Sequence, residues 1–216
     1  MKKIAVYGAG DFGVEVAYLI REISAAGVCE RECVGFFDDS VPAGTRIDGL
    51  DLRVLGGIDT LNAFPEDLEI AMAIATPRVV KSIVGKITNP RISFPNIIAP
   101  DVRFVDRARV RFGRGNVIGA RSMISVGSVF GDFNLCVFDN IFGHGSRIGD
   151  FNVFFTSTRI SGNVSVGDRN SFGVNFSALQ KLKIGNGNVL GASSLLTHNI
   201  SDNATYIGVP AQKLLF

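Results

Sequence analysis

From Phe112 onward every sixth residue of the chain is apolar. The series runs Phe112, Ile118, Ile124, Phe130, Cys136, Phe142, Ile148, Phe154, Ile160, Val166, Phe172, Ala178, Ile184, Leu190 and Leu196. In a chain whose apolar fraction is 46%, fifteen hits of fifteen arise by chance about once in 10⁵ at a given register. Nine of these residues are followed by Gly, at 113, 119, 131, 143, 149, 167, 173, 185 and 191, and the fourth residue after each is mostly small or polar. A period of six suits short flat strands joined by tight corners. The apolar side chain points inward, and Gly or Asn accepts the positive φ that a corner demands. Three such sides close an 18-residue coil, so the spacing predicts a left-handed parallel β-helix over 97–216. Each buried Ile, Leu or Phe contributes roughly 1.5–3 kcal/mol, but only stacking buries it, so a coil is stable only against its neighbours. Phe112, Phe130, Phe142, Phe154 and Phe172 are expected as interior packing.

The N-terminal part has a different rhythm. Ile4 to Tyr7 reads as a short buried strand, then comes GAGDFG (Gly8 to Gly13), then a helical pattern through Val14, Ala17, Tyr18, Leu19 and Ile20. Strand, glycine-rich turn and helix is the context in which glycines let a backbone approach a phosphate at a helix N-terminus. The alternative is that the glycines only pack helix against strand. Val34 to Phe37 reads as a second strand ending in Asp38 and Asp39, whose carboxylates can accept hydrogen bonds from a ribose or base. Ile70 to Ala75 reads as a third strand; Thr76 follows it, and Pro77 opens a helix through Val80, Ile83, Val84 and Ile87. Arg91 to Phe94 is a fourth strand, and Pro95 and Pro100 end the unit. These elements predict a small Rossmann-like parallel-sheet domain over 1–96, about half a dinucleotide fold and so sized for a mononucleotide portion.

Composition narrows the functional classes. A net charge of +2 without charge blocks gives no electrostatic basis for nucleic acid or a membrane surface as partner. Lys2 and Lys3 precede an apolar run, but that run ends at Gly8, which is too short for a secretory signal, and no stretch approaches the length of a membrane span. Three cysteines, an odd number with Cys136 on an interior position, point to free thiols and a cytoplasmic protein. With two histidines in the chain, no metal site is expected. His144 and His198 are 54 residues apart, three coils, so they share one edge of the prism about 14 Å apart and cannot act as a pair within one subunit.

Taken in order, GAGDFG, GFFDD (35–39), VLGGIDTL (54–61) and IGVPAQKL (207–214) resemble the sugar acyltransferases that join a Rossmann-like domain to a hexapeptide-repeat left-handed β-helix. That family includes sialic acid O-acetyltransferases and N-acetyltransferases of nucleotide-linked 4-amino sugars. The resemblance implies direct acyl transfer from acetyl-CoA or another acyl-CoA, with no metal. His144, in GHGSRIGDF, takes the place of the family's general base, a role suited to imidazole, and the Gly162 N–H takes that of the oxyanion donor. Gly8, Gly10, Asp11, Phe12, Gly13, Asp38, Asp39 and Thr76 fall on the nucleotide-sugar site. Gly173, Val174, Gly191, Ala192, Gly208 and Pro210 fall on the CoA groove, which in that family lies between neighbouring β-helices of a homotrimer. An amine acceptor is favoured over a hydroxyl of the sialic acid type. Three positions depart from the family pattern. Gly145 stands where an acid orients the histidine, Asp11 or Phe12 replaces a histidine of the glycine loop, and Ala99 replaces one before Pro100. Asp139, Asn140 or a backbone carbonyl is the expected substitute for the lost acid, and Asp11 is suited to attract an ammonium group. Two rivals remain. One is an oxidoreductase using the glycine motif for NAD; the other is a degenerate β-helix that binds sugar nucleotide without catalysis, for which Gly145 speaks.

Overall fold

The structure is a computed structural model that describes residues 1–214. The chain divides into two compact units, Met1–Pro100 and Asp101–Phe216.

In the first unit β1 (Lys2–Tyr7) lies at the centre of a sheet, flanked by β2 (Arg31–Phe37) and β5 (Leu68–Met72), both parallel to it. Beyond β2 come β4 (Leu52–Gly56) and β3 (Arg46–Ile47), and beyond β5 comes β6 (Ile92–Ser93). Six strands are therefore present where the sequence pattern shows four. The two it does not show are β3, two residues long and antiparallel to β4, and the five-residue β4, which lies parallel to β2. Helix α1 (Asp11–Ala25) buries Gly13, Val16, Ala17, Ile20 and Ile23, the three-and-four spacing of one helical face. Gly13 is the point where that face meets the sheet, because a Cβ there would collide with the Gly8 carbonyl oxygen. Helix α2 (Ile58–Asn62) follows β4, and α3 (Pro77–Lys86) begins with proline at its first turn as expected.

The second unit is a stack of two-residue parallel strands on three faces. Through the body of the stack each strand pairs with the one 18 residues on, as in Phe130↔Ile148, Cys136↔Phe154 and Ile124↔Phe142, while at the ends Phe104 pairs with Ile124, Leu190 with Tyr206, and Tyr206 antiparallel with Lys213. Fourteen of the fifteen periodic apolar residues are buried, and Phe112, in the first coil, is half-buried. The phenylalanines pack on one another down the prism: Phe112 stacks on Phe130 with ring centroids 4.9 Å apart, and Phe154 on Phe172 at 4.5 Å. Phe142 bridges edge-on between Phe130 at 4.9 Å and Phe154 at 5.1 Å.

The corners differ from the expectation. Positive φ falls neither on the Gly after the apolar residue nor on the small polar residue four places on. It falls on the third residue, at Gly115, Arg121, Gly127, Phe133, Asp139, Gly145, Phe151, Ser157, Asn163, Arg169, Asn175, Lys181, Gly187 and Ser193, with φ between 53° and 74°. The glycines are needed for another reason. A Cβ on Gly131, Gly149 or Gly167 would stand 2.7–2.8 Å from a carbonyl oxygen of the next coil. The polar residues at the fourth place are buried and bond coil to coil. Asn134 Nδ2 donates to Asn116 Oδ1, Asn152 to Asn134 and Asn170 to Asn152, each at 3.0 Å, and Asn188 to Asn170 at 3.1 Å. The same oxygens accept the backbone N–H of the residue 18 on. Among the described residues no buried side-chain nitrogen or oxygen lacks a partner, which is what a dry prism requires.

Asn152→Ala would leave the Asn170 N–H and amide without their shared acceptor. An unfolding midpoint by denaturant should drop by the equivalent of about 1–3 kcal/mol; a change below about 0.5 kcal/mol would show that the ladder does not hold the coils together.

Candidate active site

The glycine loop of the first unit is tied down by its own acids. Asp38 Oδ2 accepts the Ala9 N–H at 2.8 Å, while Oδ1 accepts the Ser40 N–H at 2.8 Å and the Ser40 hydroxyl at 2.6 Å. Burial pushes the Asp38 carboxyl up, but the bonds from the Ser40 hydroxyl and from the Ala9, Ser40 and Val41 N–H groups outweigh it, and the group is held below the usual carboxylate range. Asp39 joins two further elements, accepting the Tyr7 hydroxyl on Oδ2 and the Ile58 N–H at the start of α2 on Oδ1, each at 2.8 Å. Burial, and then the bond to Asp39, pushes the Tyr7 phenol well above its ordinary range.

Helix α1 begins at Gly10 without a side-chain cap, and its first internal bond is from Val14 to Gly10. The N–H groups ahead of Val14 thus have no partner in the helix. Beside them is a cleft of about 380 Å³, with Ala9, Gly10, Asp11 and Val14 on one wall and Val41, Thr45, Arg46, Ile47 and Asp48 on the other. Of the residues expected at a nucleotide site, Gly10 and Asp11 line this cleft. Gly8, with φ +112°, and Gly13 are buried and shape the loop, and Asp38 holds it. Asp39 anchors Tyr7 and α2, Phe12 is half-buried, and Thr76 is exposed at the start of α3. Arg46 and Asp48 are additions from the structure. They sit in a stretch without apolar period, and only the fold brings it beside the glycines. A larger cleft of about 560 Å³ lies at the other ends of the strands. It has no glycine loop, and its charges are spent in pairs, Lys2 with Glu69 and Arg91 with Asp67.

In the second unit His144 is exposed on a corner. Its ring lies over Gly162 of the next coil, where an added Cβ would be 2.6 Å from Cε1, 2.7 Å from Nε2 and 3.0 Å from Nδ1. Glycine at 162 is therefore what lets the imidazole lie along the corner. The main chains are fastened as well, since the Asn163 N–H donates to the His144 carbonyl at 2.7 Å. One other column of corners is capped by side chains. There Asp132 Oδ1 accepts the Arg114 N–H at 2.9 Å, Asp150 that of Asp132 at 2.7 Å and Asp168 that of Asp150 at 2.9 Å. At the His144 corner no carboxylate does this, and among the described residues the Gly162 N–H has no acceptor.

Asp139 and Asn140 do not bond the imidazole. Asp139 takes the Ser157 hydroxyl at 2.7 Å and Arg159 Nη2 at 3.0 Å, and these bonds hold its carboxyl below the usual range. Asn140 is buried and accepts the Thr158 N–H. His198 is exposed, its ring centroid 6.4 Å from that of Tyr206.

Of the residues expected at a CoA groove, Val174, Ala192, Gly208 and Pro210 are exposed, and Gly173 and Gly191 are half-buried. Val174 and Ala192 are exposed one coil apart; Gly173 lies so close to the next coil that a Cβ would be 2.5 Å from the Ala192 nitrogen. Gly208, with φ +98°, donates its N–H to Ser194 Oγ at 2.9 Å and precedes the cis Val209–Pro210 bond. Among the described residues no three His, Cys, Asp or Glu cluster as metal ligands, and no helix is long and apolar enough to cross a membrane.

Because the Asp38 carboxyl is depressed in the fold, its tie to the loop stabilises the first unit above the ordinary carboxylate range, near pH 3.9, and is lost as pH falls through the lower folded value. Thermal unfolding between pH 3 and 6 should therefore show a smaller acid-side loss of Tm in Asp38→Asn than in the native protein. Parallel curves would remove Asp38 from the account of the loop.

Residues 3–87 match the family model of the PglD N-terminal domain. No curated protein matches the chain. The acetyltransferase domain of PglB from Neisseria gonorrhoeae FA1090, solved in complex with acetyl coenzyme A, is 25% identical, with a TM-score of 0.85 and 99% of each chain covered. WeeI from Acinetobacter baumannii AYE has the same fold at 24% identity and a TM-score of 0.87, covering 99% of this chain and 100% of that one. So does PerB from Caulobacter crescentus, solved with CoA and GDP-perosamine, at 24% identity and a TM-score of 0.85, covering 99% of this chain and 98% of that one. Residues 3–87 thus match a PglD-type N-terminal domain, and the chain as a whole shares the fold of these acetyltransferase structures.

Proposed function

We propose that the protein transfers an acetyl group from acetyl-CoA directly to the amine of a nucleotide-linked amino sugar, with His144 as general base. The observation that carries this reading is the pairing at one corner of an exposed imidazole with a backbone N–H, that of Gly162, which has no acceptor among the described residues. The amine nitrogen attacks the thioester carbonyl carbon while the imidazole takes the proton the amine gives up. The carbonyl oxygen becomes an oxyanion and accepts the Gly162 N–H. Collapse re-forms the carbonyl, breaks the C–S bond and returns the proton to the leaving CoA thiolate, so amide and free thiol are the products. Acetyl-CoA bound to PglB, and CoA with GDP-perosamine bound to PerB, support this choice of donor and acceptor class.

The N-terminal domain, 1–96, holds the nucleotide in this reading, at the cleft bounded by Gly10, Asp11 and Arg46. The free N–H groups at the start of α1 and the Arg46 guanidinium suit a diphosphate. The β-helix, 97–216, carries the acyl transfer. Gly173, Val174, Gly191, Ala192, Gly208 and Pro210 line the CoA groove, and the active assembly is a cytoplasmic homotrimer. A hydroxyl acceptor, or binding without transfer, are the readings that compete.

His144→Ala should lower kcat by about 10²–10⁴ while acetyl-CoA binding and the oligomer persist, because the side chain lies outside the packed prism. His198→Ala should change kcat by less than about threefold, measured by thiol release. A loss of no more than threefold in His144→Ala would remove that residue from the chemistry. Asp38→Asn should weaken nucleotide-sugar binding in calorimetry while leaving CoA affinity unchanged. An equal effect on both ligands, or none, would move the nucleotide site elsewhere.

A further inference from the structure

The acids expected to read the nucleotide are already occupied. Asp38 and Asp39 follow β2, and every one of their carboxylate oxygens accepts a hydrogen bond from the protein itself, Asp38 from the Ala9 N–H and from Ser40, Asp39 from the Tyr7 hydroxyl and the Ile58 N–H. The cleft beside α1 holds two further carboxylates, Asp11 and Asp48, and one guanidinium, that of Arg46. All three residues are exposed, and among the described residues none of their side chains has a hydrogen bond or an ion pair. A carboxylate beside a bound anion weakens binding unless the same ligand offers it donors.

The fold sets these groups in order along the cleft. β4 is parallel to β2 and β3 is antiparallel to β4, so β3 runs in the same sense as α1, the helix that returns between the parallel strands β1 and β2. Arg46 is therefore the nearer to the helix start, and Asp48, two residues on, lies about 7 Å farther along. The bond from the Tyr18 hydroxyl to the Gly49 carbonyl, 2.8 Å, agrees with this order, since Tyr18 is in the second turn of α1 and Gly49 follows Asp48. Asp11 is the first residue of the helix, at the other end. Between the two ends Val14 and Val41 give the facing walls apolar surface.

We propose that Asp48 reads the base of the nucleotide and that this base is guanine, so that the acceptor is a GDP-linked amino sugar. This rests on the cleft being the nucleotide site of the proposed transfer. With the diphosphate at Arg46 and the helix start, the ribose lies beside Val14 and the base reaches Asp48. A carboxylate only accepts, and its two oxygens match two N–H groups set side by side. Among the common bases guanine alone has that pair, N1–H and the 2-amino group. Uracil and thymine place a carbonyl oxygen on each side of their one N–H, and a carboxylate facing that edge is repelled. Adenine and cytosine set a ring-nitrogen acceptor beside their amino group.

The test is calorimetry of the full chain with GDP, UDP, dTDP and IDP, the last being GDP without its 2-amino group. GDP should bind at least about tenfold more tightly than UDP or dTDP, and IDP about tenfold more weakly than GDP, the effect of one hydrogen bond to a charged group. Asp48→Ala should bring all four within about threefold of one another by weakening GDP alone. The side chain is exposed and without partners, so the fold should not change. Arg46→Gln should weaken all four alike and keep the preference for GDP. UDP or dTDP binding as tightly as GDP, IDP matching GDP, or a preference for GDP that survives in Asp48→Ala would overturn the inference and leave the nucleotide site standing. Equal losses for GDP and UDP in Asp48→Ala would assign the carboxylate to the ribose and overturn it too. If none of the four binds the native protein, the cleft is not the nucleotide site, and the inference falls with that reading.

Discussion

Everything in the second unit depends on the vertical register of 18 residues, by which each side chain meets its counterpart one coil away at about 4.8 Å. At that spacing an interior residue has room to pack only if its column is filled consistently: Phe112 stacks on Phe130 and Phe154 on Phe172 within their columns, and Phe142 of the third column meets both pairs edge-on. Buried polar residues must find partners in the column too. The asparagines at 116, 134, 152, 170 and 188 do so by passing one amide to the next. Each oxygen also takes a backbone N–H, so the ladder links side chain and main chain of successive coils.

The same register makes a reactive corner out of an ordinary one. Where a coil carries Asp over the corner of the coil before, as at 132, 150 and 168, the carboxylate caps the N–H that the turn leaves open. Where a coil carries Gly there, as at 162, the side chain of the coil before can lie flat on the backbone, as the His144 imidazole does. Chemistry at this place is thus a matter of which column positions lack a Cβ. The first unit shows the converse, with Asp38 taking an N–H of the glycine loop and Asp39 fastening Tyr7 and α2.

The period of six made the β-helix legible, because burial of one residue in six is a constraint that each coil repeats. The same period hid the roles of the other positions. Gly and Asn were assigned to positive φ on their intrinsic freedom, whereas Arg121, Phe133, Phe151 and Lys181 adopt it at the third place and the glycines are there to avoid a carbonyl. Local propensity gave way to the stacking distance. In the first unit the strand, glycine loop and α1 were legible from apolar runs and glycine spacing. Strands β3 and β4 were not, and with β3 went Arg46 and Asp48, since a two-residue strand in a polar loop leaves no period. His144 could be placed by its resemblance and its register. The contact of its ring with Gly162 needed coordinates, because it is made across 18 residues by a side chain whose rotamer no spacing fixes.

The most direct test of the central claim, acetyl transfer to a sugar amine at this corner, is turnover of the native protein with acetyl-CoA and a panel of UDP-, GDP- and dTDP-linked sugars. Each 4-amino sugar would be paired with its 4-hydroxy counterpart, and free thiol and product mass followed together. The account predicts that at least one amino sugar gains one acetyl group, with thiol released in equal amount, while its hydroxyl counterpart does not react. Acetylation of the hydroxyl sugars in preference, or tight nucleotide-sugar binding with no thiol released from any member of the panel, would contradict it.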